Sequence, residues 1–272
     1  MLKRVIPSSG EMLPVVRLGT WQTFNVGSAH HGELAQVLAS LYQAGGRLID
    51  SSPMYGKAEE VVGTLTAQLR REPDFFYATK VWTTGLQAGI TQLDASFRKM
   101  KRDVMDLVQI HNLLDWQTHL PQLRKGKEAG TIRYIGLTHY QDSSHDALLR
   151  IMEREPVDFV QFNYSLFNRH AEERLLPRAA ELGVATLINR PFGEGSFFRK
   201  LAGKPLPAWA TEQGIASWAE FILTYIISHP AVTCVIPANG SAAHAVANAK
   251  AGSGFQPDEP IRRKMADFIQ TL

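Results

Sequence analysis

Four residues of this sequence have types and positions suited to moving a proton at a substrate oxygen: Asp50, Tyr55, Lys80 and His111. Three of them directly follow short apolar runs, with Asp50 after residues 47–49, Lys80 after 75–79 and His111 after 104–110. Tyr55 stands in Asp50-Ser51-Ser52-Pro53-Met54-Tyr55-Gly56, where Pro53 and Gly56 argue for a loop. A phenol with an unperturbed pKa of about 10 is a poor acid or base at neutral pH, but a nearby ammonium favours phenolate and lowers that value. Lys80 is the candidate ammonium. Drawn into a partly dry pocket it needs a counter-charge, which Asp50 supplies from the neighbouring run. The imidazole of His111 can then hydrogen-bond a substrate oxygen while Tyr55 delivers the proton.

The elements that must position these groups follow from the apolar pattern. Runs at 15–18, 47–49, 75–79, 104–110, 132–137, 157–162, 184–188 and 232–236 alternate with helical segments such as 33–44, 58–71, 93–101 and 172–182. Eight strands with crossover helices describe a parallel sheet, and its simplest closure is a (β/α)8 TIM barrel in the α/β class. Residues 5–13 read as a short N-terminal β-hairpin across the barrel bottom. Active sites of such barrels lie at the C-terminal strand ends. The remaining ends here are Thr138-His139, Asn163, Asn189-Arg190 and Asn239, all polar. Residues 192–209 form the one long irregular segment, expected as a binding loop. No linker or repeat divides the chain, so residues 1–272 are expected to form a single domain.

Composition is that of a globular chain: 272 residues, 44% hydrophobic and 20% charged, with a net charge of +3 and no basic block to suggest nucleic acid. Cys234, the sole cysteine, lies in an apolar run and reads as a buried small hydrophobe. The N-terminal residues lack a signal-peptide core, and no apolar run is long enough for a membrane span, so a cytoplasmic protein without membrane contact, monomeric or weakly oligomeric, is expected. His30, His31 and His170 sit among polar residues and read as surface; Trp218 lies in a helical run and reads as packing.

Asp50 to Tyr55, Thr79-Lys80-Val81-Trp82 and residues 106–111 ending in His111 together resemble the catalytic tetrad of the aldo-keto reductases. The resemblance extends to Leu18-Gly19-Thr20-Trp21, to Val160-Gln161-Phe162-Asn163-Tyr164 and to Val235-Ile236-Pro237. It implies an NADPH-dependent oxidoreductase, with NADH possible, that reduces an aldehyde or ketone with Tyr55 as general acid. It further implies a cofactor lying along Gly19, Thr20, Trp21, Asp50, Thr138, His139 and Gln161, then across Asn189, Arg190, Pro191, Phe192, Gly193 and Gly195. The adenosine end would meet Ile236, Pro237, Ala238, Asn239, His244 and Asn248. Trp21, Phe24, Met54, Trp82 and His111 would line the pocket for a small-molecule carbonyl.

Three stretches depart from the family pattern. Thr138-His139 stands where many members carry a serine-asparagine pair, and Arg190 near where an aromatic ring stacks on the nicotinamide. After Pro237 the sequence Ala238-Asn239-Gly240-Ser241-Ala242-Ala243-His244 lacks the lysine and arginine that commonly hold a 2'-phosphate, leaving Ser241 and His244. Other readings of the strand ends are a metal-dependent hydrolase using Asp50, His111 and His139, a Schiff-base lyase using Lys80, and a slow cofactor-binding regulatory protein. The first lacks a His-x-His pair after the first strand, where Gly19-Thr20-Trp21-Gln22 stands.

Overall fold

The computed structural model describes residues 1–71, 74–237 and 240–272. The hairpin strands β1 (Lys3–Val5) and β2 (Met12–Pro14) precede eight barrel strands, β3 (Leu18–Gly19), β4 (Leu48–Asp50), β5 (Phe76–Val81), β6 (Met105–His111), β7 (Ile132–Thr138), β8 (Phe159–Asn163), β9 (Ala185–Asn189) and β10 (Cys234–Val235). Each barrel strand pairs in parallel with its sequence neighbour, from β3 through to β10. The ring is closed by the parallel bridge Val16↔Val235, where the Arg17 amide donates to the Val235 carbonyl at 3.1 Å and the Val235 amide to the Val15 carbonyl at 2.9 Å. All eight expected strands are therefore present. The first differs in extent, because its ladder proper starts at Leu18 and residues 15–17 serve the closure.

Why the strands read as unbroken apolar runs is clear from their two faces. Leu48, Phe76, Ala78, Leu107, Tyr134, Phe159, Ala185, Leu187 and Cys234 point into the barrel, and Ile6 and Leu13 of the hairpin close this inner core from below. The alternate residues, among them Ile49, Val81, Val108, Ile110, Leu137, Val160 and Ile188, pack outward on the helices. The inward series turns polar toward the C-terminal ends: Ala78 is followed by Lys80, Leu107 by Gln109 and His111, Phe159 by Gln161 and Asn163. One alternation thus builds both an apolar plug and a polar mouth.

Helices α1 (His31–Gln43), α2 (Ala58–Gln68), α3 (Leu86–Met100), α4 (Trp116–Glu128), α5 (His145–Arg154), α6 (Leu175–Glu181), α7 (Ser196–Leu201), α8 (Ala208–Thr211), α9 (Trp218–Ser228), α10 (Ala242–Ala251) and α11 (Glu259–Gln270) follow in chain order. Helix α3 begins well before the expected residue 93, since its first two turns are solvated and bury only Gly89. Residues 192–209 are not structureless: a 3-10 turn over Gly193–Gly195 leads into α7 and then α8. Gly193 and Gly195, at φ 54° and 82°, bend the chain there, and Phe197 stacks on Phe167 at 4.3 Å between centroids. Cys234 is fully buried, and burial pushes its thiol up to about 12, which makes it inert. Among the described residues no helix is long and apolar enough to cross a membrane.

Gly63 of α2 lies against the end of α3, where an added Cβ would collide with the Lys99 carbonyl oxygen and come within 2.8 Å of Met100 Cα. Gly63→Ala is expected to destabilise the fold by about 1–3 kcal/mol, since backbone cannot yield as a side chain does. Gly32→Ala, in the exposed first turn of α1 with nothing nearby, should instead be neutral or stabilise by up to about 1 kcal/mol. Urea unfolding of both variants checks the pair of signs.

Candidate active site

Strands β4, β5 and β6 are consecutive in the ring, and their ends bring Asp50, Lys80 and His111 to one side of the mouth. Lys80 is fully buried; its Nζ donates to Asp50 Oδ2 at 2.9 Å and to the Ser51 carbonyl at 2.7 Å. Asp50 Oδ1 accepts from Gln109 Nε2 at 3.3 Å. The backbone of Asp50 is fixed from β3, as the Thr20 amide and hydroxyl both donate to its carbonyl at 3.0 Å. Tyr55 ends a 3-10 turn, Pro53–Tyr55, capped by Ser52, whose Oγ accepts from the Met54 amide at 3.3 Å. Gly56 then reverses the chain at φ 62°, in a space where any Cβ would strike Asn25. The Tyr55 ring lies edge-on to His111 at 5.9 Å and 4.9 Å from Trp21, with Lys80 Nζ 5.0 Å from its centroid.

The electrostatics divide the four by protonation state. Burial raises the Asp50 carboxyl, but Lys80 and Arg17 outweigh it and hold Asp50 below its ordinary range, as carboxylate. Burial, then the Lys80 charge, pushes His111 down to about 3, so its ring is neutral. Tyr55 departs from expectation: burial lifts its phenol above the ordinary value, and Lys80 only opposes that rise. The phenol therefore keeps its proton at neutral pH. Arg17, which the sequence reading passed over, is fully buried in the barrel two residues before Gly19, the β3 partner of Asp50. None of its three guanidinium nitrogens has a hydrogen-bond partner among the described residues, and its charge acts on both Asp50 and Tyr55.

The other expected site residues separate into those at the mouth and those elsewhere. Gln161 and Thr138 are register partners on β8 and β7, and Asn163 pairs with Asn189 across β8 and β9. Gln161 Oε1 and Asn189 Oδ1 are buried acceptors with no donor among the described residues, while Asn189 Nδ2 donates to the His139 carbonyl at 3.1 Å. The His139 ring spends both nitrogens within its own loop, on the Gln141 amide at 3.2 Å and the Ser144 hydroxyl at 3.1 Å. Arg190 lies over the Tyr140 ring at 4.4 Å and pairs with Glu194 at 2.6 Å. Pro191 is buried, and half-buried Phe192 leads into the turn of Gly193 and Gly195. Gly19 packs so closely on Ile236 that a Cβ would lie 2.8 Å from Ile236 Cγ2, and its amide donates to the Pro237 carbonyl at 3.4 Å. His244 is exposed in the first turn of α10, where Ser241 caps its amide, and Asn248 is buried one turn on. Ala238 and Asn239 lie outside the described residues.

Among the expected substrate contacts, Trp21 and Trp82 are 39% and 40% exposed, which leaves both rings open to a ligand beside Tyr55 and His111. Met54 is half-buried beside them. Phe24 is a correction: it is fully enclosed in the outer core and presents no surface to a pocket. Its loop curls back under the Thr20 carbonyl, to which the Phe24 amide donates at 3.1 Å, and that turn drives the ring inward. Surface concavities of about 590 and 580 Å3 open by Pro7 and Asp158 and by Arg47 and Asp106, and neither includes a residue of the mouth.

The model of the aldo/keto reductase family matches residues 15–259, nearly the whole barrel. The chain belongs to that family. It is 28% identical over 258 residues to methylglyoxal reductase YeaE of Escherichia coli, covering 92% of this chain and 89% of that protein. It is also 28% identical over 236 residues to an aldo-keto reductase of Mycolicibacterium smegmatis, covering 84% and 80% of the two chains. A solved aldo-keto reductase of Klebsiella pneumoniae in complex with NADPH has a similar fold, with a TM-score of 0.83, 24% identity, and coverage of 98% of this chain and 95% of that one.

The neutral state of His111 has a measurable consequence. A histidine titrates near 6.5 when unfolded and His111 near about 3 when folded, so between those values the unfolded chain binds the extra proton. Stability tied to this ring is complete above about pH 6.5 and lost as pH falls toward about 3. His111→Gln is expected to unfold with a shallower pH dependence across that window. Parallel curves for the two proteins would show that the fold does not hold the ring neutral.

Proposed function

We propose that this chain reduces an aldehyde or ketone to the alcohol, with NADPH as reductant and Tyr55 as general acid. The observation that carries the reading is the combination of a half-buried, protonated phenol, a neutral imidazole edge-on to it and a buried ion pair beside both. The pocket residues fit the cofactor, since the orphaned acceptors Gln161 Oε1 and Asn189 Oδ1 suit the two N–H groups of a carboxamide. When bound, the nicotinamide supplies the hydride to the carbonyl carbon.

The chain's own groups supply the proton and the orientation. Ser52 Oγ accepts the Met54 amide and lies 3.1 Å from His111 Nδ1, to which its hydroxyl hydrogen can be donated. His111 then carries its proton on Nε2, directed at the substrate oxygen. Tyr55 gives its phenolic proton to that oxygen as negative charge develops on it. Two donors of Lys80 are held by Asp50 and Ser51, leaving the third for the phenolic oxygen as it becomes phenolate. The alcohol leaves with one hydride and one proton added, and solvent reprotonates Tyr55.

Trp21 beside Tyr55 and Trp82 beside His111 are both partly exposed and would contact a small carbonyl compound, in keeping with the name of the Escherichia coli relative. We place Thr138, Gln161 and Asn189 on the nicotinamide. The turn of Gly193 and Gly195 would meet the pyrophosphate, and His244 at the α10 N-terminus the 2'-phosphate. The whole chain acts as one barrel domain, and a cytoplasmic setting suits its single buried thiol.

Tyr55→Phe is expected to lower NADPH-dependent reduction of methylglyoxal by at least about a hundredfold, with NADPH affinity by fluorescence nearly unchanged. Near-normal turnover in a chemistry-limited assay would remove Tyr55 from the acid role. His244→Arg should tighten NADPH more than NADH, because only the former offers a 2'-phosphate to a guanidinium. Equal shifts for both cofactors would place that phosphate away from α10.

A further inference from the structure

At the C-terminal rim the segments that follow β7 and β8 bring together residues far apart in sequence. Asp142 lies in the connection between β7 and α5, His145 is the first residue of α5, and His170 comes from the loop after β8. One ligand-type atom from each of the three lies within 4.8 Å of the others. His145 Nδ1 and His170 Nδ1 face each other at 2.9 Å. His145 is buried, Asp142 half-buried and His170 exposed, so the cluster is anchored on one side and open on the other.

The surrounding hydrogen bonds fix which nitrogen of His145 is available. Asp142 presents its carboxylate oxygens to two asparagine side chains. As an acceptor it takes the amide N–H groups of Asn163 at 2.5 Å and Asn168 at 2.7 Å. Asn163 must therefore turn its carbonyl oxygen to His145 Nε2, 3.0 Å away, and that nitrogen must carry the ring proton. His145 Nδ1 is left with its lone pair directed at His170. A ligating histidine is oriented in the same way in metal sites, by a hydrogen bond on the other ring nitrogen. The carboxylate, with about four lone-pair directions, retains acceptor capacity beyond the two asparagines.

We propose that Asp142, His145 and His170 bind one divalent transition-metal cation of the zinc, cobalt or nickel type. Two imidazoles and one carboxylate suit this class over magnesium or calcium, which take oxygen ligands. Ligands at about 2.0–2.1 Å in tetrahedral geometry require an N···N separation of about 3.3 Å, so the two rings open by a few tenths of an ångström. Exposed His170 can make that movement, and its proton passes to Nε2 or to solvent. The remaining position takes water. The occupied site would tie the loop after β7 to the loop after β8, close to Asn163 and Gln161.

Equilibrium dialysis of the full chain against Zn2+ near pH 7.5, with Co2+ absorption as a second readout, tests the site. One equivalent should bind and raise the unfolding temperature. His170→Ala should abolish that equivalent without unfolding the protein, as His170 is exposed. Asp142→Asn should weaken it by about tenfold or more, while His30→Ala, which removes a member of the other neighbouring histidine pair, should leave it intact. Absence of saturable binding, or binding undiminished in His170→Ala, would overturn the proposal.

Discussion

The Asp50–Lys80 ion pair is the constraint on which the rest of the site depends. Both charges are buried, and removing either partner would leave the other stranded in the barrel interior, typically at a cost of about 3–5 kcal/mol. The pair survives because most of its hydrogen-bonding capacity is used: Ser51 takes a second donor of Lys80, and Gln109 donates to the second oxygen of Asp50. Only the adjacency of β4, β5 and β6 at their C-terminal ends allows this closure. Arg17 adds a second cation from just before β3, so the buried set carries two positive groups against one carboxylate. Lys80 helps depress His111, and Lys80 with Arg17 limits how far burial lifts Tyr55.

Much of this was legible because a strand buried on both faces must be apolar until it reaches the mouth. Asp50, Lys80 and His111 stood out as the first polar residues after such runs, and the barrel follows from their number. Arg17 was not legible in the same way. It interrupts the run 15–18, and only the inward alternation that places it below Gly19 shows it to be interior. The direction of the Tyr55 shift was also hidden, since residue type announces the ammonium beside the phenol but depth decides how strongly desolvation opposes it.

Local turns account for the remaining differences. His139 sits at a strand end, yet its ring is captured by the Gln141 amide and the Ser144 hydroxyl, a short-range closure with no hydrophobic signature. Phe24 stood beside Trp21 in sequence, but the turn at Thr20 sends one ring to the mouth and the other into the core. His170 reads as surface and is exposed, while its contact with His145 depends on the relative placement of two loops and on no sequence periodicity.

The barrel mouth is satisfied at its charged side and unsatisfied at its neutral side. Around Asp50 and Lys80 the two charges find partners within the protein, whereas Gln161 Oε1, Asn189 Oδ1 and, beside Asp50 itself, Gln109 Oε1 have no donor among the described residues. A buried acceptor without a donor costs about 1–3 kcal/mol, so these groups lower the stability of the empty barrel. A ligand that brings N–H donors to Gln161 and Asn189 offsets part of that cost as it binds, and by linkage it stabilises the fold in proportion to its occupancy. The same inward alternation therefore has two outcomes along one strand. Apolar residues below the ion pair close the core, and amide side chains at its level remain incomplete until a partner arrives.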